Sequence, residues 1–211
     1  MAVRLFKGGV DEAVRQFQRG CADINRLFYD LAQDGVMEYR DHWPKGTPEH
    51  NIEKVATTKH ARRKFRRILE CLESADSIHE EAALLLRAFS GLQLFPDANH
   101  RTGLIFVGYF LDQRGYTLEC GMADVVALVE DIRSERGPYS ARRKADRLAE
   151  RDASFHRTLA FMQKFVRRQP WWQRTLPSRV STRLRRSVDR LPLRGMHVPE
   201  DSAVERARKL E

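Results

Sequence analysis

An all-α fold is what this 211-residue sequence predicts, on three observations. Apolar residues recur at spacings of three and four along most of the chain. No stretch sustains the one-in-two alternation of a half-buried strand, and no internal repeat is visible. Residues 100–114, which include Leu104, Ile105, Phe106, Val107, Tyr109, Phe110 and Leu111, are apolar on nearly every side, as a helix threaded through a core must be. Together these describe a helical bundle around one central buried helix.

The elements follow in order. "VDEAVRQFQRGCADINRLFYDLAQDG" spaces Val14, Phe17, Cys21, Ile24, Leu27, Phe28 and Leu31 as one long amphipathic helix, with Gly20 as a place to kink and Gly35 as the stop. "VMEYRDHWPKGTPEHNIEK" contains Pro44, Gly46 and Pro48 and loses this period, which predicts an exposed loop with a short extended pair around Val36–Tyr39. Helical spacing resumes through Phe65, Ile68, Leu69 and Leu72, with Arg and Lys on the opposite face. Ser77-x-x-Glu80 forms a capping box that opens a helix through Ala82, Leu85, Leu86 and Phe89. Beyond the central helix, Arg114-Gly115 marks an end, and Val125, Val126, Leu128, Val129 and Ile132 build a further amphipathic helix.

The formal charge of +9 is unevenly placed: residues 138–211 hold 19 Lys+Arg against 8 Asp+Glu, whereas residues 1–137 hold 19 against 21. This divides the chain into a near-neutral domain, 1–137, and a basic, mostly helical C-terminal extension, 138–211. Within the extension Leu148, Phe155, Leu159, Phe161, Met162 and Phe165 offer a face to pack on the domain, and Pro170, Pro177, Pro192 and Pro199 then cut the chain into short pieces. Trp171 and Trp172, beside Arg174 and Arg179, either stack on bases, sit at a membrane surface or plug the tail onto its own domain. The basic charge itself has two readings, a surface for nucleic acid or acidic partners and a solvated helical face. No apolar run approaches the roughly 18 residues of a membrane span, and the first residues lack a secretory apolar stretch. Cys21, Cys71 and Cys120 have no metal-type spacing. The expectation is a soluble cytoplasmic protein with reduced cysteines and no membrane span.

Between two buried helices lies a polar knot, "LQLFPDANHRTG", at the N-terminus of the central helix. A first helical turn exposes N–H groups without intrahelical partners, and the macrodipole adds about half a positive charge there. Small Ala98 lets a ligand approach the backbone, Asn99 can cap or donate, and Arg101 brings a fork of donors suited to phosphate. Asp97 beside a phosphate makes sense with a divalent cation between them, since Mg²⁺ is commonly held by one carboxylate plus nucleotide oxygens. The chemistry therefore reads as a Mg²⁺-nucleotide phosphate site. The competing reading is an ordinary capped helix entry with Arg101 in a surface ion pair.

The stretch "LQLFPDANHRTGLIFVGYFLDQRGY" resembles the signature of the Fic/Doc (death-on-curing) family, His-x-Phe-x-(Asp/Glu)-(Gly/Ala)-Asn-(Gly/Lys)-Arg. Phe95, Asp97, Ala98, Asn99, Arg101 and Thr102 match in register, and Gly115-Tyr116 falls where the family's next helix commonly ends. The resemblance covers residues 80–133. It implies a Fic-type helical fold that binds ATP or another nucleoside triphosphate with Mg²⁺ and transfers AMP, or in Doc-like members a phosphoryl group, to a protein hydroxyl. By position, Phe95 would anchor the loop, Asp97 would hold Mg²⁺, and Ala98, Asn99, His100, Arg101 and Thr102 would form the phosphate site. Residues 36–51 would be the flap that docks a target protein, and an antitoxin-like regulator is a further implied partner.

Two departures qualify that expectation. The family's catalytic His falls at Gln93, and an amide cannot serve as a general base near neutral pH. His100 stands where AMP-transferring members have Gly and Doc-like members Lys, and Leu104 replaces the former's second Arg, so the sequence leans to the Doc-like side. His100 is a candidate substitute base or a phosphate contact. Ser77-x-x-x-Glu81 matches half of the family's inhibitory motif, but Ala82 follows, and we read it only as part of a helix start. The sequence thus points to a degenerate Fic/Doc-like protein with impaired or altered transfer. The rival is a non-enzymatic helical module contacting nucleic acid or a partner protein through residues 138–211.

Overall fold

A computed structural model of the chain describes residues 9–41, 43, 45–134 and 147–169. Helix α1, Val10–Gln33, runs through Gly20 as one helix and buries Ala13, Val14, Phe17, Cys21 and Phe28 on one face. Two polar residues, Gln18 and Asn25, lie on that same buried face. Helix α2 spans Pro48–Thr57, where the sequence suggested loop. The lost periodicity hid a helix start made by Thr47, whose side chain accepts from the His50 amide (3.3 Å), followed by Pro48 in the first turn. Proline suits that position because its missing N–H would have had no intrahelical partner anyway. The expected extended pair at Val36–Tyr39 is also absent: these residues form a turn and irregular chain, fixed by contacts described below.

Thr58 ends α2 and caps α3, Lys59–Glu73, by accepting from the Ala61 amide (3.3 Å), so two helices meet at one residue. Helix α4, Ile78–Leu92, starts at Ser77, which accepts from the Glu80 amide (3.2 Å). In the reciprocal bond Asp76 N donates to Glu80 Oε2 (2.9 Å), one residue earlier than a strict capping box would place it. Helix α5, Asn99–Asp112, is the central one, with Thr102–Val107, Phe110 and Leu111 all buried. Its closeness to α4 is set by Gly103, where an added Cβ would lie 2.5 Å from Phe89 Cβ.

Four helices share an aromatic centre. Phe17 of α1 meets Phe65 of α3 edge-on at 5.0 Å and Phe106 of α5 at 4.8 Å, and Phe106 lies 5.9 Å from Phe89 of α4. Burying such a ring is worth roughly 1.5–3 kcal/mol, and each well-oriented pair adds about 0.5–1.5 kcal/mol. This centre fixes α5 between α1 and α4 and thereby fixes the knot at its start.

Helix α6 spans Met122–Ser134 and buries Val125 and Leu128, while Val126, expected on the packed face, is 44% exposed. A short 3₁₀ turn, Arg147–Ala149, precedes helix α7, Ala153–Phe165. Leu148, Phe155, Met162 and Val166 enter the same core as the residues of α1 to α5, with Leu159 and Phe161 packed partly against it. Residues 147–169, assigned from the sequence to the extension, are therefore built into the bundle. Strand β1, Tyr116–Leu118, pairs antiparallel with β2, Val166–Arg168, with Thr117 opposite Arg167. Three residues per strand are too few to leave an alternating pattern in the sequence.

The cysteines are free: Cys21 and Cys71 are buried, and burial pushes the Cys120 thiol up to about 11. No helix among the described residues is long and apolar enough to cross a membrane. Of the extension expected to meet nucleic acid, 138–211, residues 138–146 and 170–211, including Trp171 and Trp172, lie outside the described residues.

Candidate functional site

The chain reverses between α4 and α5 in the six residues 93–98. Gln93 (φ 48°) ends α4 and Ala98 (φ 56°) precedes α5, and they are the only non-glycine residues with positive φ among those described. Such positions cost of order 1–3 kcal/mol each and persist only where the surroundings over-determine them. Here the determinants are identifiable. Phe95 is 1% exposed and seats the turn in the core. Asn99 grips the same residue from the first helical turn: its Oδ1 accepts from Phe95 N (2.8 Å) and its Nδ2 donates to Phe95 O (2.9 Å). Asn99 Nδ2 also reaches Gln93 Oε1 at 3.4 Å.

A second clamp comes from α1. Asn25, fully buried, donates from Nδ2 to Asp97 O and to Thr102 Oγ1, both at 2.9 Å, and its Oδ1 accepts from the Tyr39 hydroxyl at 2.8 Å. Sequence reasoning missed this residue, although Asn25 occupies an apolar position of the α1 register between Cys21 and Phe28. A polar side chain on that face needed partners, and the knot supplies them.

The sequence-predicted residues separate into two groups. Thr102 and Asn99 are buried, at 0% and 4% exposure, and their side chains are spent holding the turn to α1 and to itself. Thr102, expected among the phosphate contacts, is instead an internal anchor. His100 Nδ1 pairs with Ser90 Oγ of α4 at 3.0 Å, a partner the sequence did not reveal. Gln93 is exposed, and its Nε2 lies 3.4 Å from Ser90 O.

Asp97 and Arg101 face the loop after α1. Asp97 Oδ2 accepts from the Arg40 amide at 2.7 Å. Arg101 donates to Glu38 O (3.1 Å) and to Met37 Sδ (2.8 Å), lies over the Phe28 ring at 5.3 Å, and sits 3.8 Å from Asp97 Oδ2. Burial pulls the Arg101 guanidinium below its ordinary value, with Asp97 opposing the shift, but a guanidinium so placed stays charged. Burial likewise pushes the Tyr39 phenol well up, which keeps it a neutral donor to Asn25.

The starts of α1 and α5 have no side-chain cap, since Gly9 and Ala98 have none to give, whereas α2, α3, α4 and α7 are capped by Thr47, Thr58, Ser77 and Asp152, and of the two uncapped starts only Ala98 is left-handed. The first intrahelical bond is Thr102 N to Ala98 O (2.8 Å), so the amides of Asn99, His100 and Arg101 precede it. They lie on the helix turn that carries Arg101, which begins two residues past Asp97. The donor set suits an anion, and the single carboxylate suits a hard cation that takes most of its ligands from phosphate and water. Among the described residues no group of three or more His, Cys, Asp or Glu side chains could hold a metal by itself. No protein-family model, curated protein or solved structure matches the chain.

Proposed function

We propose that the first turn of α5 binds the phosphates of a Mg²⁺-nucleotide, as in a degenerate Fic/Doc-like domain whose transfer of a phosphoryl or AMP group to a protein hydroxyl is impaired or altered. The observation that carries this reading is the uncapped, left-handed entry to α5 at Ala98, with Asp97 and Arg101 on either side. A fold with no use for the turn would gain by a capping side chain there, worth about 0.5–2 kcal/mol. A bound phosphate would supply the missing acceptor, and Mg²⁺ would bridge it to Asp97.

Arg101 would hold a phosphate oxygen through its guanidinium, and the N–H groups of the first turn would donate to the remaining oxygens. Gln93 would be able to orient a hydroxyl or water but not to take up its proton, which explains why transfer should be slow or lost: a general base contributes typically ~10²–10⁴-fold. The measurement that tests this is calorimetric titration of the full chain and its Arg101→Ala variant with Mg²⁺-ATP. The parent should bind and the variant should lose binding while keeping its helical circular dichroism, at a stability cost of about 1 kcal/mol, because the protein partners Arg101 loses are a sulfur, a carbonyl and the Asp97 carboxylate at 3.8 Å. A parent that shows no affinity for Mg²⁺-ATP overturns the reading.

A further inference from the structure

Residues Met37–Arg40 lie across the same two groups that a phosphate and its cation would use. The Arg40 amide holds Asp97 Oδ2, while Glu38 O and Met37 Sδ hold Arg101. The segment is kept down by little else. Tyr39 reaches Asn25 through its hydroxyl and meets the Tyr29 ring edge-on at 5.4 Å. Met37 rests on a small cluster of Phe28, Ala98 and Ile105, and Tyr39 packs partly against both that cluster and the main core. A segment with so few buried apolar contacts opens at a fraction of the global unfolding free energy. The Glu38–Arg40 ion pair is exposed on both sides and adds little.

We propose that Met37–Arg40 is a displaceable strap that competes with the ligand for Asp97 and Arg101, so that phosphate binding requires the strap to lift; this rests on the phosphate-site reading above. The competition is direct. Arg101 cannot give a phosphate the two N–H groups directed at Met37 and Glu38, and Asp97 Oδ2 cannot ligate a cation along the direction the Arg40 N–H occupies. The strap is also bonded to the turn mainly through its backbone, at Arg40 N and Glu38 O, which makes it insensitive to most side-chain changes along it. Apparent affinity is then the intrinsic affinity reduced by the fraction of molecules with the strap lifted.

The experiment compares three full-length proteins, the parent, Arg40→Pro, which removes the N–H donated to Asp97, and Met37→Ala, which weakens the apolar seat and the Arg101 contact. Each is titrated with Mg²⁺-ATP, and hydrogen–deuterium exchange of the segment 36–41 is followed in the parent with and without Mg²⁺-ATP. If the strap is closed about nine-tenths of the time, either variant should bind about tenfold more tightly, and the parent's strap should exchange faster when Mg²⁺-ATP is bound. Equal affinity in all three, or slower exchange of the strap in the complex, removes the strap and leaves the phosphate site standing. Binding by none of them removes the phosphate site, and the strap with it. Should a variant fail to fold, the exchange measurement on the parent decides alone.

Discussion

The two ends of helix α5 put arginine to opposite uses. At the C-terminal end Arg114 meets the carboxylate of Glu81, whose side chain is 3% exposed, and lies over the Phe110 ring at 4.5 Å. The same side of the bundle holds Arg87, which joins Asp152 and the carbonyls of Leu148 and Glu150 and so fastens the start of α7 to α4. The chain leaves α5 through Gly115 at φ 75°, a residue type suited to that conformation. At the N-terminal end Arg101 has a sulfur, one carbonyl and a carboxylate 3.8 Å away, and the left-handed positions fall on Gln93 and Ala98. A guanidinium matched by a carboxylate is committed to the fold. One held by weak acceptors beside an uncapped helix start retains capacity for a stronger, external acceptor.

The largest test of this contrast is Arg114→Met. It leaves Glu81 as a buried carboxylate without its partner, and removal of one member of a buried pair costs about 3–5 kcal/mol, readable in urea unfolding. Its pH dependence has a definite sign. Burial already raises the Glu81 carboxyl, with Arg114 opposing, so folded Glu81 binds its proton more readily than unfolded Glu81 does. The stability linked to that proton is greatest at low pH and is lost as pH rises through the folded value. Without Arg114 the shift grows, and the deficit of the variant should shrink as pH falls from 7 towards 5. A loss below about 1 kcal/mol at pH 7 would put Arg114 in the same class as Arg101 and erase the contrast.

Asn25→Ala probes the other end. It leaves the Tyr39 hydroxyl, Asp97 O and Thr102 Oγ1 without their shared partner and should cost about 1–3 kcal/mol, with faster amide exchange in residues 36–41. A loss of stability with no change in that exchange would show that Asn25 supports the turn but not the loop lying over it. The smallest effect is expected from Gln93→Gly. Gln93 is exposed, its side-chain bonds are both 3.4 Å, and its backbone is left-handed, so glycine should stabilise the fold by about 0.5–1 kcal/mol in thermal unfolding. Destabilisation would mean that the Gln93 amide contributes more to holding the turn than its backbone costs.

Most helices were legible because each states its own boundaries. Ser77 opens α4, the three-and-four spacing of α1 survives Gly20, and the all-round apolar character of 104–111 marks α5 as central. Helix α2 was not legible, because Pro48 at the start of a helix and Pro44 in the preceding loop look alike to composition, and only the Thr47 cap distinguishes them. In the candidate site the motif positions 97–102 could be read from the sequence, but not that the side chains of Asn99 and Thr102 bond inward, to Phe95 and Asn25. The residues that meet the knot, Asn25, Tyr39, Arg40 and Ser90, stand 10 to 77 positions from their partners in the chain.

Hydrophobic period and capping chemistry act over one or two turns, so the helical class, the central helix and the polar knot at its start are written locally in the residues. Which polar groups of that knot already have partners is set by packing between distant helices. An amide, a hydroxyl or a guanidinium carries no mark of its partner, and the choice between an internal acceptor and an external one is made by helices from distant parts of the chain. Packing of Phe17, Phe65, Phe89 and Phe106 brings α1 and α5 together, and that closeness lets Asn25 take Thr102 while Met37–Arg40 covers Asp97 and Arg101.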